Sequence, residues 1–504
     1  MCHRYINHSF SYFAAIKKRM FSKTGISILK MLSVNVVKGA NMIFQNDDTI
    51  AAIASGLSNS GISVIRISGS EAIATADKIF YTKSGSSLMN ADTHTVHYGM
   101  IMDGEEFVDE VLLLVLRAPR TYTREDVIEI DCHGGVLVTQ RVLETILKQG
   151  VRLAEPGEFT KRAFLNGRID LSQAEGVMDL IDASNRLAMK HSAGQVRGSL
   201  KNKITNLRTT ILDDVAFIEA ALDDPEHIDI DEYRETLESH IAEVTQSISE
   251  LIAGFHNGKL IREGVNTVIL GKPNAGKSTL LNLFAGEERA IVTEIAGTTR
   301  DLLEVPVMVD GIQLNITDTA GLRDTDDVVE RIGVERAKAS AEYADLILYL
   351  FDAGKDASEE EVSFVRQLDQ ERLILLVNKS DLEQTEKCLD AALLKKMFDT
   401  EVIEISAKNN IGTDALKDAI RKKCFFGENP DSESLFISNE RHKEALKEAV
   451  AYMENAGGSC EAGMPEDFIS IDLMGAYQAL GKILGETLDE DLVNNIFEKF
   501  CLGK

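Results

Sequence analysis

The segment Gly271-Lys272-Pro273-Asn274-Ala275-Gly276-Lys277-Ser278 decides the fold of the central part of this chain. It follows the apolar run Val265–Leu270 and leads into Thr279-Leu280-Leu281-Asn282. A strand, a glycine-rich turn and a helix start in that order are typical of a phosphate-binding loop, because glycines let backbone N–H groups face an anion. A ligand-free turn is the alternative reading, and the loop alone does not choose between ATP and GTP. The residues predicted to contact a nucleotide here are Asn274, Ala275, Gly276, Lys277, Ser278 and Thr279, with Mg²⁺ on the Ser278 hydroxyl.

Around this loop, residues 259–424 alternate between strand and helix patterns, which predicts a mostly parallel sheet with helices on both faces. Three further motifs each follow a predicted strand: Asp318-Thr319-Ala320-Gly321, Asn378-Lys379-Ser380-Asp381 and Ser406-Ala407-Lys408. Asp318 is placed to reach Mg²⁺ through water, and the Gly321 N–H is placed to meet a γ-phosphate. Asp381 is suited to accept both N–H donors of guanine, whereas adenine has an acceptor there. The sequence therefore predicts GTP, with Asn378, Lys379, Ser406, Ala407 and Lys408 completing the base pocket.

The segment Thr293–Asp301 is polar and lies between the phosphate loop and Asp318, which is typical of a switch that orders around the γ-phosphate. One expected group is missing: Leu322 follows Gly321, where many small GTPases have a glutamine that orients the attacking water. We expect an acid of the following loop to replace it, and extra positive charge to come from Arg300, a partner or a bound monovalent cation. The candidate acids are Asp324, Asp326, Asp327 and Glu330.

The chain has 504 residues, a length that suffices for about three domains. Its formal net charge is −27. The predicted boundaries are 47–160 for a small α+β domain, 161–258 for a first helical part, 259–424 for the nucleotide domain, and 425–504 for a second helical part. The nucleotide domain would then be inserted into one helical domain. The fold class is multidomain, combining α+β, all-helical and α/β parts.

Two sets of charged residues have alternative interpretations at this point. Arg66 and Glu129 fall in predicted strands, where they either lie on solvated faces or are unusually buried. A second set steps by four and seven residues along predicted helix, in a stretch without Asp or Glu: Arg186, Lys190, Arg197, Lys201 and Arg208. On one helix face these would be the best candidate contact for RNA in an acidic chain, and an ordinary solvated face is the alternative.

Residues 1–46 contain seven Lys or Arg and no Asp or Glu, so this extension differs from the rest of the chain. Either the start codon is assigned too far upstream, with Met42 as the favoured start, or the extension is an organelle transit peptide. No apolar run approaches the roughly 20 residues of a membrane span, and the six cysteines are scattered, which suits a reducing compartment. We expect a cytoplasmic protein without a membrane span, or a mitochondrial matrix protein if the extension is a transit peptide.

The four nucleotide motifs, together with Gly297-Thr298-Thr299-Arg300-Asp301 and the terminal Phe500-Cys501-Leu502-Gly503-Lys504, closely resemble the tRNA-modifying GTPase family called MnmE or TrmE. The resemblance covers essentially everything after residue 46. It is specific at Asp48–Ala54 and Arg66–Gly69 near the start, and at Glu158–Leu171 in the middle. The family's usual Pro-Pro-Gly-Arg-Gly-Gly turn is Gly56-Leu57-Ser58-Asn59-Ser60-Gly61 in this chain.

This resemblance implies a homodimer held by its N-terminal domains, each of which binds a formyl-tetrahydrofolate-type folate. It also implies G domains that dimerise with GTP and K⁺ bound, and a flavoprotein partner of MnmG or GidA type in a heterotetramer. The implied function is a K⁺-stimulated GTPase that drives addition of a carboxymethylaminomethyl or aminomethyl group to C5 of the wobble uridine of certain tRNAs. The nitrogen would come from glycine or ammonia. A GTP-switched assembly or ribosome-associated factor is the rival function.

Carried over position by position, the resemblance assigns a role to each matching residue. Glu330 would orient the attacking water through a bridging water, and Cys501 would be a reactive thiol near the folate site. Lys277, Thr299 and Gly321 belong to the hydrolytic machinery. The implied ligand sets are Arg66, Glu129, Arg168 and Lys504 for folate, Ser278 and Thr299 for Mg²⁺, and Asn274, Thr293, the Ile295 carbonyl and Thr298 for K⁺.

Overall fold

A computed structural model describes residues 48–82, 85–224, 226–227, 233–287, 304–317, 338–383, 386–389, 391–425, 435–486, 490–501 and 503. The chain divides into two compact units. The first contains the N-terminal part up to Ile169 together with the C-terminal residues from Glu490, and the second runs from Asp170 to Asp489. The mixed α+β, helical and α/β class predicted from the sequence is confirmed.

A seven-stranded sheet forms the centre of the first unit, in the order β3-β4-β5-β6-β2-β1-β7. Its neighbouring strands are antiparallel except for the parallel pair β1–β7. One face carries the core, since Ile65, Leu113 and Ile130 are completely buried there. The elements are β1 (Ile50–Ile53), β2 (Ile62–Ser68), α1 (Ala72–Ile79), β3 (Phe80–Tyr81), β4 (Thr95–Asp103), β5 (Glu106–Leu116), β6 (Val127–His133), α2 (Val136–Leu147), β7 (Arg152–Leu153) and α3 (Glu158–Leu165).

The C-terminal segment completes this first unit. Helix α15 (Glu490–Phe497) packs against α3, with the rings of Phe164 and Phe497 at 6.2 Å between centroids. A Cβ at Gly157 would lie 2.6 Å from the Phe497 carbonyl oxygen, so only glycine allows this approach. The sequence predicts that all of 425–504 belongs to the helical domain. In the structure, residues from Glu490 onward instead lie with the N-terminal unit, because their apolar side chains are buried there.

The second unit contains amphipathic helices whose apolar stripes form one core, with Ile204, Ile248, Leu446 and Leu473 as buried members. None of the helices among the described residues has the length and apolar character to cross a membrane. The helices before the nucleotide domain are α4 (Leu171–Asp182), α5 (Arg186–Val196), α6 (Ser199–Asp223), α7 (Arg234–Ala253) and α8 (Phe255–Glu263). Those after it are α13 (Glu440–Glu461) and α14 (Glu466–Leu484).

Between these helices lies a six-stranded sheet in the order β13-β12-β11-β8-β10-β9. It is parallel except for the antiparallel pair β9–β10, as the alternating pattern predicted. The carboxyl ends of β8 and β12 carry the phosphate loop and the Asn378 motif, so the topology brings the two motifs to one sheet edge. The elements are β8 (Val265–Gly271), α9 (Lys277–Glu287), β9 (Glu304–Val309), β10 (Ile312–Thr317), β11 (Leu346–Asp352), α10 (Glu359–Arg366), β12 (Leu373–Asn378), α11 (Ala391–Met397), β13 (Glu401–Glu404) and α12 (Thr413–Phe425).

The single basic stripe predicted between Arg186 and Arg208 is wrong. Helix α5 ends at Val196 and α6 begins at Ser199, because Gly198 takes a left-handed conformation with φ of 92°. Arg208 is buried, and its guanidinium donates to both carboxylate oxygens of Glu486 at 2.7 and 2.6 Å. It is therefore a structural residue and offers no surface to RNA.

Candidate functional site: a phosphate loop and a paired-arginine pocket

The phosphate loop has the backbone shape that its glycines predict. Gly271 has φ of 142°, and a Cβ there would lie 2.5 Å from the Leu350 carbonyl oxygen. Gly276 has φ of 104°, and a Cβ there would lie 2.1 Å from Asn378 Nδ2. Any side chain at either position would collide with the neighbouring strands, so the loop closes tightly only with glycine.

Lys277 is the cation of this loop, and its stem is partly buried where α9 begins. The ammonium donates to the carbonyl oxygens of Gly271 at 2.7 Å and Lys272 at 2.9 Å. Burial lowers the pKa of Lys277 from its ordinary value. The adjacent hydroxyls of Ser278 and Thr279 are exposed at the helix N-terminus. The Lys277 ammonium and the helix N-terminus favour an anion at this place, and the two hydroxyl oxygens are of the kind that Mg²⁺ prefers.

Asn378 ties the phosphate loop to the base-binding loops. Its side chain is buried, with Nδ2 donating to the Ala275 carbonyl oxygen at 2.8 Å and Oδ1 accepting from the Ala407 N–H at 3.0 Å. A single amide thus fixes loops from three different strand ends. The sequence motif predicted that Asn378 and Ala407 share a pocket, and the structure brings them together.

Asp381 has the acceptor atoms predicted for guanine. Its Oδ1 accepts from the Ser406 hydroxyl at 2.6 Å, and this hydrogen bond is the main reason that the pKa of Asp381 is lowered. The carboxylate is therefore ionised at neutral pH and exposed toward solvent. Neighbouring Lys379 has φ of 66°, and its Nζ lies 2.7 Å from Asp352 Oδ2. Lys408 lies exposed beside this group.

Sequence reasoning missed a second anchor of the phosphate loop. Lys272 Nζ lies 2.9 Å from Glu361 Oε2 and donates to the Ser358 hydroxyl at 2.9 Å, at the start of α10. Glu361 is buried and also accepts from the Tyr349 hydroxyl at 3.1 Å. A motif search passes over Lys272 because the phosphate-loop pattern leaves that position unspecified, and only its charge together with the acidic start of α10 could have suggested the contact.

Several predicted residues lie outside the described residues and are not placed by the structure. They include the switch, the γ-phosphate motif, the water-orienting acid and the terminal lysine: Thr293, Ile295, Thr298, Thr299, Asp318, Gly321, Glu330 and Lys504. Among the residues that the structure describes, no group of three or more His, Cys, Asp or Glu is arranged to hold a metal ion. Asn274 and Ser278 are described, and both offer oxygen atoms suited to hard cations.

Arg66 and Glu129 form a cross-strand ion pair in the first unit. They are direct partners in the β2–β6 register, and Arg66 Nη2 lies 2.7 Å from Glu129 Oε1. Only 18% of the arginine side chain and 23% of the glutamate side chain are exposed. The solvated-face interpretation of these residues is therefore wrong. Each is held by its partner on the face of the sheet opposite the core.

Aromatic rings surround this pair and connect it to Arg168. The Arg66 guanidinium lies 5.6 Å from the Phe159 ring centre and 5.7 Å from the Tyr122 ring centre. The Arg168 guanidinium lies 4.6 Å from the same Tyr122 ring centre. The Tyr122 hydroxyl is 2.9 Å from the Thr160 hydroxyl, which fixes its ring. Three residues far apart in sequence, Arg66, Glu129 and Arg168, are thus brought together around an aromatic surface. Sequence reasoning did not find Tyr122 or Phe159.

The C-terminal tail lies against the same unit. The Gly157 N–H donates to the Cys501 carbonyl oxygen at 3.3 Å, and the Cys501 thiol is exposed. A Cβ at Gly503 would lie 2.1 Å from the Ile53 carbonyl oxygen, and its φ is 88°. The tail therefore meets the carboxyl end of β1, which places Cys501 on the unit that holds Arg66 and Glu129.

Comparison with known proteins finds the same family in both units of the chain. Residues 171–501 match the family model described as the MnmE helical domain, and residues 49–168 match the one described as the GTP-binding protein TrmE N-terminus. The tRNA modification GTPase MnmE of Lachnoclostridium phytofermentans is 52% identical over 458 residues, which is 91% of this chain and 99% of that relative. The protein of the same description from Clostridioides difficile is 46% identical over 459 residues, again 91% and 99% of the two chains. Among solved structures, Era of Aquifex aeolicus is 28% identical over 38% of this chain and 67% of its own, with a TM-score of 0.25.

Proposed function

The chain belongs to the MnmE (TrmE) family of tRNA modification GTPases, and from that premise we propose that its hydrolysis of GTP is stimulated by K⁺ and coupled to a flavoprotein partner. The partner would be of MnmG or GidA type. Together they would add a carboxymethylaminomethyl or aminomethyl group to C5 of the wobble uridine. GTP binding and hydrolysis in tRNA modification follow from the family itself, whereas the cation, the partner and the product are the proposal.

The observation that carries this proposal is the convergence of Arg66 and Arg168 on the Tyr122 ring, with Glu129 paired to Arg66. A plain GTP-switched factor has no use for such a site, whereas a folate would fit it. The Glu129 carboxylate is an acceptor for the N–H donors of a pterin ring, and Tyr122 offers a flat surface beside it. Arg168 is exposed and suited to a carboxylate of the folate tail. When bound, a formyl-tetrahydrofolate-type folate would supply a one-carbon unit for the new substituent.

In the nucleotide domain, the proposed hydrolytic roles divide between described and undescribed residues. Lys277 and the loop N–H groups would hold the phosphates, and Asp381 would select guanine. Ser278 and Thr299 would hold Mg²⁺, while Asn274, Thr293, the Ile295 carbonyl and Thr298 would hold K⁺ as the positive charge that an arginine finger supplies elsewhere. Glu330 would orient the water through a bridging water. Hydrolysis would then change the contact between two G domains of a homodimer.

Folate binding tests the proposal against its rival. We expect residues 43–504 to bind 5-formyltetrahydrofolate in calorimetry, and Arg66→Ala to weaken that binding by at least roughly tenfold, because hydrogen bonds to charged groups contribute about 1.5–3 kcal/mol each. Arg120→Ala is the matched control, since Arg120 is an exposed arginine of the same unit. It should bind folate like the parent.

An absence of folate binding by the parent protein would favour the assembly or ribosome-associated factor instead. Thermal unfolding of each variant shows whether the fold is retained, because Arg66→Ala leaves Glu129 without its ion-pair partner. Glu129→Gln, which keeps the side-chain volume, separates loss of the acceptor charge from loss of structure.

A further inference from the structure

Helix α5 lies in the most basic stretch of the chain. From Arg186 to Arg208 the sequence contains six Lys or Arg and no Asp or Glu, in a protein whose formal net charge is −27. A stretch of this composition in an acidic chain creates a local positive potential that attracts anionic ligands. The helical break at Gly198 leaves α5 as a separate surface element of this stretch.

The two faces of α5 differ sharply. Ala188, Ser192 and Gln195 are buried and step by four and three residues along one face. On the opposite face, residues at the same helical spacing are exposed: Arg186, Met189, Lys190 and Arg197, the last as the C-cap residue. At 100° per residue, the three cations fall within about 40° of one another around the helix axis. They therefore form one line directed away from the core.

The three cations of the stretch that lie on α6 each have a polar partner. Arg208 is buried with Glu486, Lys201 Nζ lies 3.5 Å from Asp170 Oδ2, and Lys203 donates to the Ser247 hydroxyl at 3.3 Å. Among the described residues, Arg186 and Arg197 have no ion-pair partner. The exposed positive charge of this stretch is thus concentrated on α5. Of the five residues predicted as one stripe, the three on or next to α5 remain: Arg186, Lys190 and Arg197.

We propose that the exposed face of α5, formed by Arg186, Lys190 and Arg197, binds the phosphate backbone of tRNA. With a rise of 1.5 Å per residue, the cations are about 6 and 10.5 Å apart along the helix, a spacing comparable to one and two phosphates of an RNA strand. Arginine presents a planar fork of donors that matches phosphate oxygens. The contact positions the RNA and reads no sequence, since phosphates are common to all tRNAs.

An acidic protein partner would offer similar charge complementarity, and RNA is favoured because the family acts in tRNA modification. The proposal rests on that family role and on none of the folate, K⁺ or flavoprotein assignments. Two or three phosphate contacts give modest affinity, so the surface would support a complex held at other points as well.

The test compares two variants with equal change in charge. Arg186→Gln/Arg197→Gln removes two cations from α5, and Lys395→Gln/Lys396→Gln removes two exposed lysines from α11. The affinity of the full chain for unmodified tRNA is measured by fluorescence anisotropy over a series of salt concentrations. We expect the α5 variant to weaken binding at low salt and to reduce the slope of log K against log salt by about 1.4–1.8, the value for two lost phosphate contacts. The α11 variant should follow the parent.

Equal slopes for the α5 variant and the parent, or no tRNA binding by the parent at low salt, would overturn the proposal. So would an α5 variant that retains tRNA binding but loses association with the flavoprotein partner, which would assign the surface to a protein. GTP turnover without tRNA should be unchanged in both variants, which controls for folding. Folate binding by the α5 variant should equal that of the parent, so failure of the folate proposal is distinguishable from failure of this one.

Discussion

Asn274 has an unusual backbone conformation for a residue with a side chain, with φ of 64° in the phosphate loop. Asparagine tolerates this left-handed region better than most residues, and its side chain is exposed at the nucleotide side of the loop. Asn274 is the one proposed K⁺ ligand that lies among the residues the structure describes. The proposed cation can therefore be tested at this residue without changing the fold.

Asn274→Gly removes the side-chain oxygen while keeping a residue that adopts positive φ without strain. We expect parent GTP turnover to be at least roughly tenfold faster in K⁺ than in Na⁺, because a cation placed at the developing charge lowers the barrier by a kcal/mol or more. The glycine variant should lose most of this difference and keep its GTP affinity within a few-fold. Steady-state phosphate release in matched KCl and NaCl buffers measures both. Equal parent rates in the two salts would refute the K⁺ assignment.

At the residue scale, the sequence predicted which side chains meet the nucleotide but not how they are held. Asn378 belongs to a recognisable motif, yet its hydrogen bond to Ala275 joins residues 103 positions apart. Lys272 and Glu361 are also far apart in the sequence, and no local pattern connects them. Motifs report residue types that the ligand requires, whereas the supporting contacts depend on the packing of separate strands.

Helix α4 carries two acids one turn apart, the buried Glu175 and the largely buried Asp179, in opposite electrostatic settings. Burial opposes the charged form of Glu175, but the His442 imidazole and the Arg441 guanidinium outweigh it and lower its pKa to about 2. Burial raises the pKa of Asp179 to about 6, and the single guanidinium of Arg262 at 3.0 Å only partly offsets it. Helical periodicity places both acids on one face, but their opposite shifts depend on α8 and α13, which the sequence separates from α4.

Asp179→Asn should stabilise the protein at neutral pH. Because the pKa of Asp179 in the folded protein lies above its ordinary value of 3.8, its favourable contribution is complete below about pH 4 and is lost as the pH rises through about 6. An asparagine accepts from Arg262 without burying a charge, so we expect the free energy of unfolding at pH 7.5 to rise by about 1–3 kcal/mol. Urea unfolding at pH 7.5 and pH 4.5 measures the difference, which should shrink at the lower pH.

Glu175→Gln is the contrasting control on the same helix. The pKa of Glu175 in the folded protein lies below its ordinary value, so its contribution is present above about pH 4.5 and is lost as the pH falls toward 2. The variant should therefore be destabilised at neutral pH, by about 3 kcal/mol, since removing one charge leaves Arg441 and His442 buried without their partner. A destabilised Asp179→Asn, or a stabilised Glu175→Gln, would show that these burial arguments are wrong.

On the scale of the whole molecule, the sequence predicted the mixed fold class but not the position of the chain end. Phe497 and Phe500 approach Gly157, and Gly503 approaches Ile53, hundreds of positions earlier, through contacts that depend on glycines without side chains. Such close approaches have no periodic signal. The residues of the proposed folate site are likewise assembled by sheet register, which pairs Arg66 with Glu129 across 63 positions.

On one face of the sheet of the first unit, strands β4 and β5 carry exposed apolar side chains. Val96 and Tyr98 on β4 and Leu112 on β5 are 59%, 58% and 43% exposed, and Tyr98 is paired directly with Leu112 in the register. The other face is buried under α1 and α2. Exposed apolar side chains grouped on two neighbouring strands indicate a protein contact. It supports the proposed homodimer, in which a second copy of this unit covers the face.

Val96→Asp should therefore disrupt the homodimer. In a two-fold interface each copy contributes the same patch, so one substitution places two carboxylates in the contact, each costing about 1–3 kcal/mol or more when desolvated. Leu137→Asp is the matched control, because Leu137 is 80% exposed in the same unit but lies on α2, away from this face. Light scattering coupled to size exclusion should give twice the chain mass for the parent and the control, and the single chain mass for Val96→Asp. A Val96→Asp protein that keeps the parent mass, or a control that dissociates equally, would place the dimer contact elsewhere.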